Sequence, residues 1–172
     1  MRNILESRLA IRGCNLEYAE DWLLVFSRFE YALKASGYFK RHQPVPPTWP
    51  KAEPDWDRFA VSLRASFNAN ATDDIRRACE YLFDSPPNQQ IILNDAVAWG
   101  TPVRPNDETD IEFLLRMVRC VRNNLFHGGK HNIGVHEDVQ RTERLLRSSL
   151  TILAACLDLA PAQNTAYRDA HL

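Results

Sequence analysis

The chain has 172 residues, of which 45% are hydrophobic, 25% charged and 10% aromatic, and its formal net charge is −1. At roughly 150 residues per domain this length predicts a single domain, and the composition excludes an intrinsically disordered chain. The near-neutral charge excludes attraction of nucleic acid by a global basic field, so nucleic-acid binding would need a local patch.

The sequence predicts a cytoplasmic protein that does not contact a membrane. No apolar run approaches the ~18 residues that a membrane span needs. The first residues, MRNILESRLAIRG, lack the apolar block of a secretory signal. The cysteines are far apart, which favours reduced thiols over a disulfide framework or a CxxC zinc site. They are Cys14, Cys79, Cys120 and Cys156.

Apolar residues recur at helical spacing along most of the chain, which predicts an all-α fold, an antiparallel bundle of about five helices. The first helix runs from Tyr18 to Leu33, and Gly37 supplies its C-terminal stop. The second carries an apolar stripe from Trp56 to Phe67.

Two segments interrupt this helical pattern. Residues His42 to Pro54 hold five of the ten prolines and are predicted to form a loop. A third helix follows from Ile75 to Phe83, with Thr72 or Asp73 near its N-cap. Residues 88–105 carry a short apolar run followed by turn residues, which fits either an extended stretch or a hairpin.

Two further helices complete the predicted bundle. The fourth opens in the acidic segment 106–110 and ends at His127, directly before a double glycine. The fifth begins near Glu137 or Asp138. Residues 160–172 after it are predicted to be a frayed tail.

Several polar residues on the fourth helix stand out as candidates for chemistry. Arg122 falls inside the apolar arc of this helix, so its guanidinium must reach water or meet an acceptor. Arg119 lies at the edge of the arc, Arg116 and Asn123 lie on the polar side, and His127 ends the helix. These positions alone also fit a structural role for both residues. Arg122 would pack its stem on apolar neighbours and extend its charge into water, and His127 would be a cation that the helix dipole favours at the C-terminus.

The string from Arg122 to His127, RNNLFH, resembles the signature of the HEPN superfamily. That signature is an Arg, a polar residue directly after it, and a His after four to six intervening residues. Residues 28–39, RFEYALKASGYF, also resemble the early HEPN helix that carries an acidic residue facing the motif, which here is Glu30. On this resemblance the chain is one HEPN-like domain, residues 1–172, with 42–54 and 88–105 as insertions.

The resemblance implies a dimeric, metal-independent endoribonuclease of the toxin or phage-defence kind. Cleavage by the RNA 2′-hydroxyl would leave 2′,3′-cyclic phosphate and 5′-hydroxyl ends. The implied catalytic residues are Arg122, His127, Asn123 and Glu30, with no metal and no other cofactor. The implied partners are RNA and a second copy of the chain, and an antitoxin or a nucleotidyltransferase is left open. The alternative is a non-catalytic helical module that binds a nucleotide or a protein.

Positive charge is concentrated around this motif. Residues 116–147 hold seven arginines and lysines against three acidic residues. Arg119, Arg116 and Lys130 are the candidate RNA contacts, because RNA binding rests largely on phosphate neutralisation. His127, His131 and His136 also invite a zinc site, but the segments between them are predicted loop and no cysteine is nearby, so none is expected.

Overall fold

The computed structural model describes residues 16–41, 49–126 and 137–170, in which six α-helices and two small sheets form. The helices are α1 (Leu16–Ala35), α2 (Trp56–Phe67), α3 (Asp73–Asp84), α4 (Asp110–Phe126), α5 (Glu137–Asp158) and α6 (Pro161–Asp169). The strands are β1 (Phe39–Arg41), β2 (Ala52–Pro54), β3 (Gln89–Leu93) and β4 (Ala96–Gly100). The fold is mainly helical, but the two antiparallel sheets correct the expectation of a purely all-α bundle of five helices.

Helix α1 ends at Gly37, as its sequence predicts. Gly37 has a φ of +89°, a backbone conformation that glycine adopts without steric cost. The amide of Tyr38 donates to the carbonyl of Leu33 at 2.8 Å, and the amide of Gly37 donates to the carbonyl of Lys34 at 3.1 Å. These two bonds form a Schellman cap, which satisfies carbonyls that the helix itself leaves without donors.

Stacked aromatic rings join α1 to α2. The ring of Trp56 stacks on Phe26 at 5.4 Å and on Phe29 at 5.3 Å between centroids, and Trp22 stacks on Phe26 in turn. All four side chains are buried. Offset aromatic pairs of this kind add stabilisation beyond that of their buried area.

The proline-rich segment is not loop throughout. Its last residues form β2, which pairs with β1 in a register that sets Phe39 opposite Pro54. Proline is tolerated there because a two-stranded sheet consists only of edge strands. The prediction of a loop over 42–54 is therefore wrong for 52–54, while residues 42–48 lie outside the described part of the chain.

Residues 88–105 contain a β-hairpin, which resolves the two alternatives that the sequence left open. Strands β3 and β4 pair from Gln89 opposite Gly100 to Leu93 opposite Ala96. The two residues of the turn, Asn94 and Asp95, have φ values of 51° and 58°. A two-residue turn with both φ values positive matches the right-handed twist of the paired strands, and Asn and Asp tolerate this conformation.

The predicted tail over 160–172 is wrong, because most of it forms helix α6. Pro161 occupies the first turn of the helix, a position where its missing N–H costs nothing. Helix α6 packs against α1 and α5. The guanidinium of Arg28 on α1 donates to the carbonyl of Tyr167 at 2.8 Å and lies over the ring of the same residue. These contacts fix α6 to the bundle.

Helix α4 contacts α1, α2, α3 and α5. It begins at Asp110 rather than at residue 106. Thr109 and Glu112 form the carboxylate half of a capping box, in which the Glu112 carboxylate accepts from the Thr109 amide at 2.9 Å and from the Thr109 hydroxyl. The same carboxylate accepts from Arg64 of α2 at 2.6 Å. Glu112 thus sets both the start of α4 and its contact with α2.

The carboxylate of Glu112 should make stability depend on pH. Its hydrogen bonds from Thr109 and Arg64 lower its pKa from 4.5 to about 2. Because the folded-state pKa is lowered, this stabilisation is present above pH 4.5 and is lost as the pH falls towards 2. We expect Glu112→Gln to lower the free energy of unfolding by about 1–2 kcal/mol at pH 7, with a smaller difference at pH 3.

Urea denaturation at the two pH values measures this difference. The matched control is Glu80→Gln, which removes the same charge from an exposed position on α3 and should change stability by less than about 0.5 kcal/mol. An equal loss for Glu112→Gln at pH 7 and pH 3 would show that the carboxylate charge is not responsible.

Within the described residues, no single helix is both long and apolar enough to cross a membrane. Part of α5 and the whole of α6 are long and apolar enough for a membrane span only when the two helices are taken together. The two helices meet at an angle of 113°.

Candidate functional site

The C-terminal half of α4 presents the residues of the predicted motif. Arg122 is partly buried, as expected for a position on the apolar arc, and Asn123 beside it is exposed. The guanidinium of Arg122 donates to the side-chain oxygen of Asn123 at 3.2 Å. This contact orients a planar cation at the surface, in the form that matches two oxygens of a phosphate.

His127 and Lys130 lie outside the described residues. Phe126 is the last described residue of α4, and His127 follows it directly in the sequence. The predicted contributions of His127 and Lys130 therefore stay predictions. The same holds for the zinc site that was weighed, because His131 and His136 also lie outside the described part of the chain.

Glu30 does not join the motif within the described chain. It lies half-buried on α1, and no hydrogen bond or ion pair connects it to Arg122 there. The resemblance places an acidic residue opposite the arginine. In this fold, contacts within one copy of the described chain do not supply that pairing.

The guanidinium of Arg116 is used inside the protein. It forms a bidentate pair with Glu108, with both nitrogen–oxygen distances at 2.7 Å, and it also donates to the carbonyl of Val103 at 3.1 Å. It lies over the ring of Phe113 as well. Since releasing it would break all these contacts, we leave Arg116 out of the proposed RNA contacts.

Arg119 is placed differently. Its side chain is 45% exposed, and its one described ion pair, to Asp57, has a nitrogen–oxygen distance of 3.8 Å. An ion pair this long and this exposed contributes little to stability. Arg119 is therefore available to a ligand at low cost.

The three arginines of α5 also differ in how far their side chains are engaged within the protein. Arg141 donates to the carbonyl of Pro86 at 2.8 Å, and Arg147 lies 3.5 Å from Glu143. Arg144 is exposed. Of these three arginines, Arg141 is committed to holding the loop between α3 and the hairpin.

A groove runs between α4 and the hairpin. Its volume is about 400 Å³, and the described residues that line it carry two guanidinium groups, four carboxamides and a thiol, but no carboxylate. The lining residues are Gln89, Gln90, Arg116, Arg119, Cys120, Asn123 and Asn124. The lining joins two of the predicted RNA contacts, Arg116 and Arg119, to Asn123 of the motif.

The groove is held open by contacts between α4 and the segment that leads into β3. The amide of Asn124 donates to the carbonyl of Asn88 at 2.7 Å, and the thiol of Cys120 donates to the same carbonyl at 3.3 Å. Burial raises the pKa of the Cys120 thiol to about 11, so it stays protonated near neutral pH and can act as this donor.

Sequence reasoning missed Gln89, Gln90 and Asn124 as site residues. They come from segments about thirty-five residues apart, and the fold of the hairpin against α4 brings them together. One signal was present in the sequence. The Asn94–Asp95 pair between two apolar runs is typical of a two-residue hairpin turn and would have placed the two glutamines at the start of a strand.

The chain matches no protein-family model, no curated protein and no solved structure.

Proposed function

We propose that this protein is a metal-independent endoribonuclease of the HEPN type that cuts unpaired RNA. The observation that carries the proposal is the Arg122–Asn123 pair on α4, at the edge of a groove whose described lining residues include no carboxylate. His127 follows the last residue of α4 in the sequence. An arginine and a histidine this near in the sequence supply a fixed positive charge and a proton carrier from one short stretch of the chain.

The chemistry would proceed without water or metal in the bond-breaking step. The RNA 2′-hydroxyl attacks the adjacent phosphorus, and His127 takes its proton. The bond from phosphorus to the 5′-oxygen breaks, and that oxygen becomes a 5′-hydroxyl by taking a proton from a second, protonated histidine, which another copy of the chain would supply. The other fragment keeps a 2′,3′-cyclic phosphate. Arg122 offsets the negative charge that grows on the phosphate oxygens during the reaction.

Asn123 is proposed to orient Arg122, since its side-chain oxygen accepts from the guanidinium. Arg119 is proposed to bind a neighbouring phosphate of the substrate. Unpaired RNA is the expected substrate, because a single strand can bring the 2′-hydroxyl into line with the bond that breaks, while a helix holds its backbone in one geometry.

One Arg122 and one His127 are too few to bind the phosphate, activate the nucleophile and protonate the leaving oxygen. A symmetric dimer would supply two of each without any new sequence. We therefore propose a composite site between two copies of the chain, acting in the cytoplasm as a toxin or phage-defence effector. An antitoxin or nucleotidyltransferase that silences it fits this role.

The proposal is tested by incubating the purified protein with unstructured RNA in the presence of excess chelator. Cleavage should continue, because no step requires a metal. The 3′ fragments should accept a 5′-phosphate from a kinase directly, and the 5′ fragments should become ligatable only after removal of a cyclic phosphate. The same RNA with 2′-O-methyl groups should stay intact.

Loss of cleavage on chelation would refute the mechanism. If the folded protein cuts none of a panel of RNAs of varied sequence, with or without chelator, the non-catalytic binding module becomes the better description.

A further inference from the structure

Two neighbouring depressions on the surface of α4 share Arg116 and Arg119 but differ in charge. One of them, of about 320 Å³, contains the four carboxylates of Asp57, Asp107, Glu108 and Glu112. The other is the groove beside the hairpin, whose described lining carries carboxamides instead of carboxylates. A phosphate is repelled by the first depression and attracted by the second.

The carboxamides in the groove keep hydrogen-bonding capacity for a ligand. Asn124 donates to the carbonyl of Asn88, which leaves its side-chain oxygen as an acceptor, and Asn123 accepts from Arg122, which leaves its amide hydrogens as donors. Gln89 and Gln90 form no side-chain hydrogen bond within the described residues. A carboxamide offers a donor and an acceptor side by side, which is the pattern that base edges require.

The position of the glutamines is fixed by the fold. They begin β3, directly after the segment whose carbonyls accept from Cys120 and Asn124. Strand β4 pairs with them, setting Gly100 opposite Gln89 and Trp99 opposite Gln90. A site whose walls are an anchored strand and helix α4 is largely formed before its ligand arrives. Its volume of about 400 Å³ is in the range of small-ligand sites.

From this arrangement we infer that the groove binds one unpaired nucleotide of the RNA substrate and selects its base. Arg119 contacts the phosphate of that nucleotide, and the carboxamides of Gln89 and Gln90 hydrogen-bond the edge of its base. The inference rests on the proposed function, since it treats the ligand as part of an RNA chain cut nearby. It adds that the enzyme prefers a particular base beside the cleaved bond.

We assign the phosphate contact to Arg119 and not to Arg116 because the two guanidinium groups differ in their partners within the protein. Arg116 is held by Glu108 and the carbonyl of Val103, whereas the one ion pair of Arg119 among the described residues is the long one to Asp57. Turning Arg119 from Asp57 to a phosphate exchanges a weak, exposed pair for a charge-assisted hydrogen bond.

The test is equilibrium binding to fluorescent five-nucleotide RNAs with 2′-fluoro sugars, which lack the nucleophile and so cannot be cleaved. One base is varied among the four at each position in turn. We expect the affinity to differ by about tenfold or more at one position, as one base-edge contact allows. Gln90→Ala should reduce that difference to about threefold or less, while Gln140→Ala, at an exposed position on α5, should preserve it.

Arg119→Ala should weaken binding of all the RNAs alike and reduce the salt dependence of the affinity. The matched control is Arg77→Ala on α3, which removes the same charge from an exposed side chain outside the groove and should leave binding unchanged. Thermal melting should give the same Tm for all variants, since none of these side chains is buried.

Equal binding of all bases by the wild type, or an unchanged preference in Gln90→Ala, would overturn the inference. Equal affinity for a free nucleoside monophosphate and for the RNAs would show a nucleotide pocket rather than an RNA subsite. The proposed function is judged separately. Base-selective binding without cleavage of natural RNA would support base recognition by the groove and refute the proposed ribonuclease activity. Cleavage without base selectivity would support the ribonuclease activity and refute base recognition by the groove.

Discussion

Replacing Arg122 or His127 with alanine should lower the rate of RNA cleavage by about 100-fold or more. The first change removes the charge that stabilises the phosphate in the transition state, and the second removes the proton carrier. Asn123→Ala should cost less, since Asn123 acts through its contact with the Arg122 guanidinium. Single-turnover cleavage of an end-labelled RNA measures all three losses.

Controls must separate lost chemistry from lost structure. Arg122 is partly buried, so Arg122→Ala is compared with Arg122→Lys, which keeps a charge but loses the planar fork. Arg77→Ala, on α3 and away from the groove, should keep full activity. If the inactive variants unfold at markedly lower urea concentrations than the wild type, Arg122 is a structural residue. Activity of Asn123→Ala equal to that of the wild type would remove Asn123 from the site.

The second expected result is a two-fold dimer whose cleft is lined by the C-terminal halves of the two α4 helices. Light scattering should give a mass twice that of the chain at the concentrations used in cleavage assays. A heterodimer of one Arg122→Ala and one His127→Ala chain, purified through two different tags, should recover part of the cleavage that either mutant homodimer lacks.

Each result bears on the composite site. A monomer that cuts RNA contradicts it outright. A stable heterodimer that stays inactive shows that one Arg122 and one His127 on different chains are not sufficient for cleavage. The dimer also brings arginines of like charge together. Since Glu30 does not meet Arg122 within one described copy, we expect a bound phosphate to offset this repulsion, so inorganic phosphate should strengthen the dimer.

Much of the helical fold could be predicted from the sequence, because apolar periodicity and capping chemistry are local. The end of α1 at Gly37, the N-cap of α3 at Thr72 and the start of α5 at Glu137 all follow from neighbouring residues. Helix α6 escaped prediction because its sequence, PAQNTAYRD, is short and polar. Its place in the fold comes from contacts with α1, which no local pattern reveals.

The hairpin was one of two alternatives that the sequence left open for residues 88–105, and the exposure of its apolar residues explains why the sequence did not decide between them. In most strands the apolar residues are buried, and their alternation with polar residues identifies the strand. Here the apolar side chains of Ile92 and Val97 are 80% and 73% exposed, so this alternation is absent. The groove could not be predicted at all, because its walls come from two separate parts of the chain. Nor could the roles of Arg116 and Arg119 be separated, since the partner that fixes Arg116, Glu108, precedes the helix.

The docking of α6 on α1 bears on the order in which the chain folds. Arg28 and Tyr167 are 139 residues apart, whereas the strands of the hairpin and the capping box of α4 join nearby residues. Closing a long loop costs more chain entropy than closing a short one, so local elements form first. The α1–α6 contact is then a late event in folding and an early one in unfolding. Since α4 also contacts α2, α3 and α5, we expect these contacts, and the groove beside α4, to persist when α6 separates from α1.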